Sequence, residues 1–226
     1  MAKRETILSV SDLTKSYGDH TIIRNINLTV KEGEVIALTG RNGSGKTTLL
    51  RCIIGADRPT SGQVRVCGVK VNETDPQFRA HVATVIDDLD FFPDLSVVEH
   101  LDLLARAHGL EDPDDLVDEV LEEVQLVAQS GQLPSTLSSG QRRRLALATA
   151  LVRPKKLLVL DEPEQRLDVE GIAWLSARLA HECSKGLAIV MASHEPNLVQ
   201  ALNARIVRIG DQSAVSESLA ETRDEL

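Results

Sequence analysis

A glycine-rich segment in the first quarter of the chain has the residue types and spacing of a phosphate-binding loop. Residues 40–47 fit the pattern G-x-x-x-x-G-K-[ST] and lie between a short apolar run and a segment of helical character. Glycines let backbone N–H groups wrap around phosphates, and Lys46 would reach the β- and γ-phosphates of a nucleoside triphosphate. Thr47 would offer its hydroxyl to Mg²⁺. The predicted nucleotide-binding residues of this loop are Gly40, Arg41, Asn42, Gly43, Ser44, Gly45, Lys46, Thr47 and Thr48.

A second segment, residues 157–163, could supply the metal site and the base. Four apolar residues predict a buried strand, and Asp161 and Glu162 follow at its carboxyl end, where open α/β sheets collect ligands. Asp161 would hold Mg²⁺, and Glu162 would orient or deprotonate a water for attack on the γ-phosphate. An ordinary strand that ends in a charged turn would look the same in isolation. The phosphate-binding pattern elsewhere in the chain favours the site.

The elements around these segments predict an α/β fold with a P-loop NTPase core. Residues 6–10 and 21–30 alternate apolar and polar residues, which predicts an N-terminal antiparallel β-subdomain. The later order of strand, helix and strand predicts parallel pairing with right-handed crossovers. Capping signals at Ser96 and at Asp112-Pro113 predict two helices within residues 87–132, the second of which runs to about Val127. We therefore expect one domain over 1–226, with a core of 1–86 and 133–226 and an inserted α-helical subdomain of 87–132.

Composition limits the classes of partner. The formal net charge is −9, which argues against a sequence-independent nucleic-acid binder, because such a protein needs a basic surface. No run approaches the roughly 20 apolar residues that a membrane helix needs. The sequence therefore predicts a cytoplasmic chain that binds no nucleic acid and contacts a membrane only through a partner.

One further motif identifies a family. The segment Leu137-Ser138-Ser139-Gly140-Gln141 resembles the signature of ATP-binding-cassette (ABC) ATPases, and the resemblance extends from Tyr17 to His194. In that family two cassettes face each other head to tail, and the signature of one closes over the ATP held by the other. Free N–H groups at the start of a helix suit contact with a γ-phosphate. A helix cap with no further role is the alternative, and the two interpretations are compatible. The residues that the resemblance places on the partner's ATP are Ser138, Ser139, Gly140 and Gln141.

The resemblance also implies roles for three single residues. Tyr17, the only tyrosine, matches the aromatic residue that stacks on adenine. Asp168 matches the end of the loop that crosses to the partner cassette. His194, which follows an apolar run, matches the switch histidine that contacts the γ-phosphate.

The sequence departs from the family at three places. Asp87 stands where a glutamine that touches Mg²⁺ is expected, and our hypothesis is that its carboxylate binds the metal weakly or through water. Glu164, Gln165 and Arg166 stand where small residues are usual. Ser139 stands where glycine is commoner.

Phe91 and Phe92 lie beside the Asp87 position in a chain that contains few aromatic residues. The resemblance implies a groove here for a helix of a membrane subunit. Packing into the local core is the alternative, and one ring could serve in each role.

Together these features predict the ATP-binding, Mg²⁺-dependent ATP-hydrolysing subunit of an ABC transporter, with ATP and Mg²⁺ as its ligands. It would pair with a second ABC ATPase subunit, as a homo- or heterodimer. It would power transport, with export favoured, through separate integral membrane subunits, as a peripheral protein on the cytoplasmic side of the cell membrane. The alternatives are a soluble ABC ATPase acting on a protein assembly and a nucleotide-regulated binding module with weak turnover.

Overall fold

The computed structural model describes residues 4–86 and 89–210, and the backbone of residues 217–218. Asp87 and most of the acidic C-terminal stretch lie outside the described residues. In chain order the elements are β1 (Thr6–Tyr17), β2 (His20–Lys31), β3 (Val35–Thr39), α1 (Lys46–Ile54), β4 (Ser61–Val66), β5 (Val69–Lys70), α2 (Pro76–His81), β6 (Val82–Val85), α3 (Val97–Ala107), α4 (Asp114–Glu123), α5 (Ser139–Leu151), β7 (Leu157–Asp161), α6 (Val169–Ser184), β8 (Ala188–Ala192), α7 (Pro196–Ala201), β9 (Arg205–Arg208) and β10 (Glu217–Ser218).

Two sheets organise the chain. The first is antiparallel, with strand order β2-β1-β4-β5, and the second has the order β10-β9-β3-β8-β7-β6. Strands β9, β3, β8, β7 and β6 pair in parallel, as the order of strands and helices predicts. Their side chains are buried almost throughout because helices or the other sheet cover both faces. The α/β fold class and the N-terminal antiparallel sheet predicted from the sequence are confirmed.

Three hydrophobic clusters divide the core, and α5 joins two of them. The first cluster packs α1 and the antiparallel sheet against one face of the parallel sheet. The second packs α5, α6 and α7 against the other face. The third holds α3 and α4 together with Leu145, Ala148 and Leu151 of α5. Because α5 contributes to both the second and the third cluster, the helical segment is tied to the sheet through this helix. The exact boundaries of the inserted subdomain stay a prediction.

Helix α4 ends earlier than the sequence predicts. It was expected to run to about Val127, yet it ends at Glu123, and a 3₁₀ turn follows over Val127–Gln129. Gln125 adopts a left-handed φ of 58°, and the N–H of Leu126 donates to the carbonyl of Leu121 at 2.9 Å. These are the features of a Schellman motif, in which glycine is the usual left-handed residue. A glutamine at that position gives no stop signal in the sequence.

Helix α2 was not predicted at all, although its signal is present. Asp75 caps it by accepting from the N–H of Gln77 at 2.8 Å, and Pro76 occupies its first turn. An Asp-Pro pair also precedes α4, where Pro113 is the N-cap. The short length of α2 leaves no apolar periodicity to support the signal.

The two adjacent phenylalanines take different positions, as one of the sequence interpretations allowed. Phe91 packs against the second and third clusters, whereas Phe92 is 55% exposed. Buried His100 holds the pair: its Nε2 accepts from the N–H of Phe92 at 2.9 Å, and its ring lies edge-on to Phe91. Burial lowers the pKa of His100, which favours the neutral ring that this hydrogen bond requires. No described helix is long and apolar enough to cross a bilayer.

Candidate nucleotide site

The phosphate loop occupies the connection between β3 and α1, and close packing fixes both of its ends. Gly40 has a φ of 150°, and a Cβ there would lie 2.1 Å from the carbonyl oxygen of Ile209. Gly45 is the N-cap of α1 with a φ of 101°, and its Cβ would lie 2.5 Å from a methyl group of Ile23. Only glycine fits at these two positions. The loop is therefore held between the end of β9 and strand β2.

Lys46 is the centre of the loop. It is only 6% exposed, and its Nζ donates to the carbonyl oxygens of Gly40 at 2.9 Å and Arg41 at 3.2 Å. The loop thus curls around an ammonium group, at the N-terminus of a helix whose dipole favours anions. Residues Arg41, Asn42 and Gly43 are exposed at the crest, and Thr48 lies half-buried in the first turn of α1.

A cleft beside the loop is lined by the loop's first residues and by the end of β9, and Lys46, Thr47 and Asp161 are not among its lining residues. The cleft has a volume of about 450 Å³ and lies between residues 39–44 and residues 208–210. The Oγ atom of Ser44 is buried and has no hydrogen-bond partner among the described residues. A buried hydroxyl without a partner is costly, and an arriving phosphate oxygen would provide one. The unpartnered Ser44 hydroxyl is therefore the local observation that supports binding of a nucleotide phosphate at this loop.

Two of the three predicted metal ligands, Thr47 and Asp161, meet beside the loop. The hydroxyl of Thr47 donates to Oδ2 of Asp161 at 2.6 Å, although 114 positions separate them in the sequence. The contact forms because the first turn of α1 faces the carboxyl end of β7. No three His, Cys, Asp or Glu side chains gather as a metal site within 4–86 and 89–210. One carboxylate and one hydroxyl suit Mg²⁺, which keeps waters and takes its other ligands from nucleotide phosphates.

Glu162 and His194 lie side by side at the ends of two neighbouring strands. Oε1 of Glu162 is 3.7 Å from Nε2 of His194, and the N–H of Glu162 donates to the carbonyl of Ala192 at 2.8 Å. Glu162 has a φ of 45°, a left-handed conformation that is strained for this residue type. The amide of Gln165 donates to the other carboxylate oxygen of Glu162. The candidate base is therefore held by its backbone and by the hydrogen bond from the Gln165 side chain.

A buried arginine that the sequence reasoning missed holds the turn that carries Glu162. Arg143 of α5 is 8% exposed and donates to the carbonyl oxygens of Asp161 at 2.8 Å, Glu162 at 2.6 Å and Pro163 at 3.3 Å. Three consecutive arginines, residues 142–144, stand in the sequence. The signal that could have found it is helical spacing: position 143 falls three residues before Ala146 and four before Leu147, on the buried side of α5.

The signature segment forms the start of α5 and contacts the same turn. Ser138 is the N-cap: its Oγ accepts from the N–H of Gln141 at 3.3 Å, and its N–H donates to the Gln141 side chain at 2.9 Å. A Cβ on Gly140 would lie 3.1 Å from the carbonyl oxygen of Arg166. The predicted cap is present, and Ser139 follows it as the first residue of the helix. The contact of these residues with a partner's ATP stays a prediction.

Asp168 ends the turn and begins α6. Its Oδ1 accepts from the N–H of Gly171 at 2.8 Å and from Arg144 at 3.2 Å. Arg166, two residues earlier, adopts a φ of 65°, which explains why a small residue is easier to place there. The side chain of Asp168 is 69% exposed, so the cap leaves it accessible to a partner.

Tyr17 lies at the end of β1. Its ring is 47% exposed, its hydroxyl donates to Oδ2 of Asp57 at 2.5 Å, and the Nζ of Lys15 lies 4.6 Å from the ring centroid. The hydrogen bond to Asp57 raises the pKa of the phenol, and burial and the Asp57 charge add to the shift. An exposed aromatic ring held by its hydroxyl is suited to stacking. No hydrogen bond or ring contact among the described residues joins Tyr17 to the loop.

Comparisons with known proteins find relatives of the chain. The family model described as ABC transporter matches residues 23–165. The spermidine/putrescine import ATP-binding protein PotA of Pseudomonas aeruginosa is 35% identical over 88% of this chain and 56% of its own length. The Nod factor export ATP-binding protein I of Cupriavidus metallidurans is 37% identical over 83% of this chain and 63% of its own length. The chain thus spans less than two thirds of the length of these two relatives.

Among solved structures, a dimeric ATP-binding cassette in a post-hydrolysis state, bound to ADP and Pi, superposes with a TM-score of 0.82. It is 26% identical, and the match covers 95% of this chain and 99% of that one. The phosphate loop, the strand that ends in Asp161 and the matched family model point to one conclusion: the chain belongs to the ABC transporter family of ATP-binding proteins.

Proposed function

We propose that the chain binds ATP with Mg²⁺ and hydrolyses it as the ATP-binding subunit of an ABC transporter. The observation that carries the proposal is the meeting of Thr47 with Asp161 beneath the phosphate loop, one residue before Glu162. Metal ligands, phosphate cradle and candidate base thereby converge at the carboxyl ends of β3, β7 and β8. Strand ends of an open α/β sheet are where such ligands bind.

The residues divide the work of binding. Lys46 would exchange its two loop carbonyls for phosphate oxygens, and the Ser44 hydroxyl would donate to the phosphate chain. Thr47 and Asp161 would hold the metal, with Asp87 as a further proposed ligand that lies outside the described residues. Bound Mg²⁺ would neutralise charge on the β- and γ-phosphates. Tyr17 would provide the stacking surface for adenine.

The residues at the strand ends would carry the chemistry. Glu162 would hold a water through a carboxylate oxygen and accept its proton as the water oxygen attacks the γ-phosphorus. The bond from that phosphorus to the bridging oxygen breaks, so ADP leaves and inorganic phosphate forms. His194, 3.7 Å from that carboxylate, would contact the γ-phosphate and keep its orientation. The strained backbone at Glu162 supports this role, because strain of this kind concentrates at functional sites.

A second cassette would complete the site. The exposed start of α5 and the exposed side chain of Asp168 support head-to-tail pairing, and the similar solved structure is dimeric. The dimer would be a homodimer or a heterodimer with another ABC ATPase subunit. ATP binding would close it and hydrolysis would open it.

Coupling to transport would go through separate integral membrane subunits, with the chain peripheral on the cytoplasmic side of the membrane. Both relatives are named as ATP-binding proteins of import or export. Because the two names differ in direction, the preference for export stays a prediction. These names give no support to a soluble assembly ATPase or to a binding module with weak turnover.

The chemistry is tested first with Glu162→Gln. The substitution keeps the shape and removes the proton acceptor, so we expect Mg²⁺-dependent turnover to fall by about 10²–10⁴-fold. ATP affinity should stay within about threefold, since Glu162 contributes little to ground-state binding. Phosphate release and equilibrium binding of a fluorescent ATP analogue are the measurements, with and without EDTA.

The matched control is Glu122→Gln on the exposed face of α4, which should leave both quantities unchanged. Turnover of Glu162→Gln at the wild-type rate would remove Glu162 from the chemistry, and absence of ATP binding by the wild-type chain would overturn the proposal. Membrane coupling is tested separately, by affinity capture from native membranes in mild detergent. Recovery of a polytopic membrane protein is expected, and recovery of soluble partners alone would contradict it.

A further inference from the structure

Glu164 makes contacts that belong to neither the phosphate loop nor the metal pair. It lies two residues after Glu162, in the turn between β7 and α6, and its side chain reaches the segment that follows β8. One oxygen, Oε1, accepts from the hydroxyl of Ser193 at 2.8 Å and from the backbone N–H of His194 at 2.9 Å. The side chain thus joins the turn of the candidate base to the backbone of the switch histidine.

The hydroxyl of Ser193, which donates to Glu164, also accepts a hydrogen bond. The Oγ of Ser193, a residue only 2% exposed, accepts from the N–H of Glu195 at 3.1 Å. The Glu164 carboxylate therefore holds residues 193 and 194 directly, and it holds residue 195 indirectly through the Ser193 hydroxyl. Hydrogen bonds to a carboxylate are shorter and stronger than those between neutral groups, which makes this carboxylate an effective clamp.

The second carboxylate oxygen of Glu164 indicates that this side chain is not optimised for the stability of the fold. Oε2 of Glu164 is buried and accepts no hydrogen bond from the described residues. Desolvating a carboxylate oxygen without a partner is unfavourable. Glu164 carries this desolvation penalty while it holds the backbone of His194. We therefore attribute its place in the turn to the positioning of His194 rather than to the stability of the fold.

We propose that Glu164 is a positioning residue that holds His194 against Glu162. The proposal rests on the ATPase function proposed above. Glu162 and His194 come from different strands, and their separation of 3.7 Å depends on how the segment after β8 sits on the turn after β7. Glu164 is in the turn after β7 and holds the segment after β8, which adds a side-chain contact to the backbone hydrogen bond from Glu162 to Ala192. Arg143 fixes the other side of the same turn to α5, which gives the turn no freedom to follow a displaced histidine.

Two substitutions separate the clamp from the charge. Glu164→Gln keeps an acceptor oxygen for both donors, whereas Glu164→Ala removes it. We expect kcat of Glu164→Ala to fall by about 10–100-fold, the size of effect that a displacement of about 1 Å produces. KM for ATP should change by no more than about twofold, because binding lies mainly with the phosphate loop. Glu164→Gln should recover most of the lost kcat.

A direct readout does not depend on turnover. Amide hydrogen exchange of His194, followed by NMR on the ¹⁵N-labelled full chain, reports the hydrogen bond itself. In the nucleotide-free protein we expect exchange at His194 to speed up at least about tenfold in Glu164→Ala, as a local opening would allow, and to stay near wild type in Glu164→Gln. Glu195→Ala is the matched control, since Glu195 caps α7 from the same segment without contacting the His194 N–H.

The outcomes distinguish the two proposals. Faster exchange together with lower kcat in Glu164→Ala, both reversed in Glu164→Gln, supports the positioning role. Faster exchange with unchanged kcat overturns it, because the clamp would then be structural only. Unchanged exchange overturns the clamp itself. Absence of Mg²⁺-dependent turnover in the wild-type chain would instead remove the proposed function, and the exchange data would still show whether the clamp exists.

Discussion

The phosphate loop and the turn of residues 162–168, here called the catalytic turn, are built by opposite means. The loop keeps its shape because side chains are absent where the backbone must approach β2 and β9, at Gly40 and Gly45. The catalytic turn keeps its shape because side chains hold it, one from α5 and one from the turn itself. Arg143 donates to two of its carbonyl oxygens and to the carbonyl of Asp161 just before it, and Glu164 joins the turn to the segment after β8.

This difference predicts which kind of substitution disrupts each part of the site. Adding a single carbon should disrupt the loop, whereas removing a side chain should disrupt the turn. It also explains why the loop can be recognised from the sequence: glycine spacing is local information. The turn depends on α5 and β8, which precede and follow it by many residues, so its support is visible only when those elements are packed together.

The largest expected effect follows from adding a carbon to the loop. Gly40→Ala would place a Cβ 2.1 Å from the carbonyl of Ile209, at a φ of 150°. Overpacking and left-handed strain together should lower the free energy of unfolding by about 4 kcal/mol. ATP affinity should fall at least about 100-fold, because the loop must move to relieve the clash. Chemical denaturation and equilibrium nucleotide binding are the measurements.

Gly43→Ala is the control for that experiment. Gly43 also has a left-handed φ, of 79°, but nothing lies within 4 Å of its would-be Cβ. Its loss of stability should be about 1 kcal/mol, from the backbone alone. Equal losses for the two variants would break the argument that close packing, rather than backbone conformation, fixes the loop.

A smaller effect is expected where a side chain is removed from the support of the catalytic turn. Arg143→Leu leaves three carbonyl oxygens without their buried donor, and we expect the free energy of unfolding to fall by about 2–3 kcal/mol. Turnover should fall more than ATP affinity, because the turn carries Glu162 and the loop carries the phosphates. Denaturation and steady-state ATPase kinetics would show both.

Arg142→Leu provides the comparison at the adjacent, exposed position of the same helix. We expect it to change stability by no more than about 0.5 kcal/mol. If Arg143→Leu were equally mild, the turn would hold its shape without the arginine, and the contrast with the phosphate loop would fail.

The smallest expected effect concerns Tyr17, which extends the comparison to the adenine side of the site. As the only tyrosine, its phenol can be titrated directly by the ultraviolet absorbance of the phenolate. The hydrogen bond to Asp57 raises its pKa above the ordinary value of about 10. Asp57→Asn should return the pKa toward that value. The stabilisation from this bond is fully present below the ordinary pKa and is lost as pH rises through the raised one.

Asp19→Asn is the matched control, because it removes one carboxylate from an exposed position two residues from Tyr17. It should leave the titration unchanged. If the pKa of Tyr17 were unchanged in Asp57→Asn, the hydrogen bond to Asp57 would not hold the ring. Tyr17 would then resemble the phosphate loop, whose shape depends on close packing and not on a side-chain partner.

Much of the fold can be predicted from local patterns in the sequence. The capping boxes at Ser96 and Ser138, with their partners Glu99 and Gln141, fall where the sequence predicts them. A box is a contact over three residues, so the sequence contains both halves of it. The early end of α4 was missed because Gln125 adopts a conformation that its residue type does not announce. The neutral, buried role of His100 was also invisible, since it depends on Phe91 and Phe92 in space.

For the candidate site, the sequence determined which groups are available: a glycine-lysine-threonine loop, an aspartate and glutamate at the end of a strand, and a histidine after another. Only the tertiary structure decided how they are held. Thr47 meets Asp161, Arg143 meets the carbonyls of the catalytic turn, and Glu164 meets His194. The physical reason is range: propensity, capping and glycine spacing act within a few residues, whereas these contacts join segments that only the parallel sheet brings to one edge.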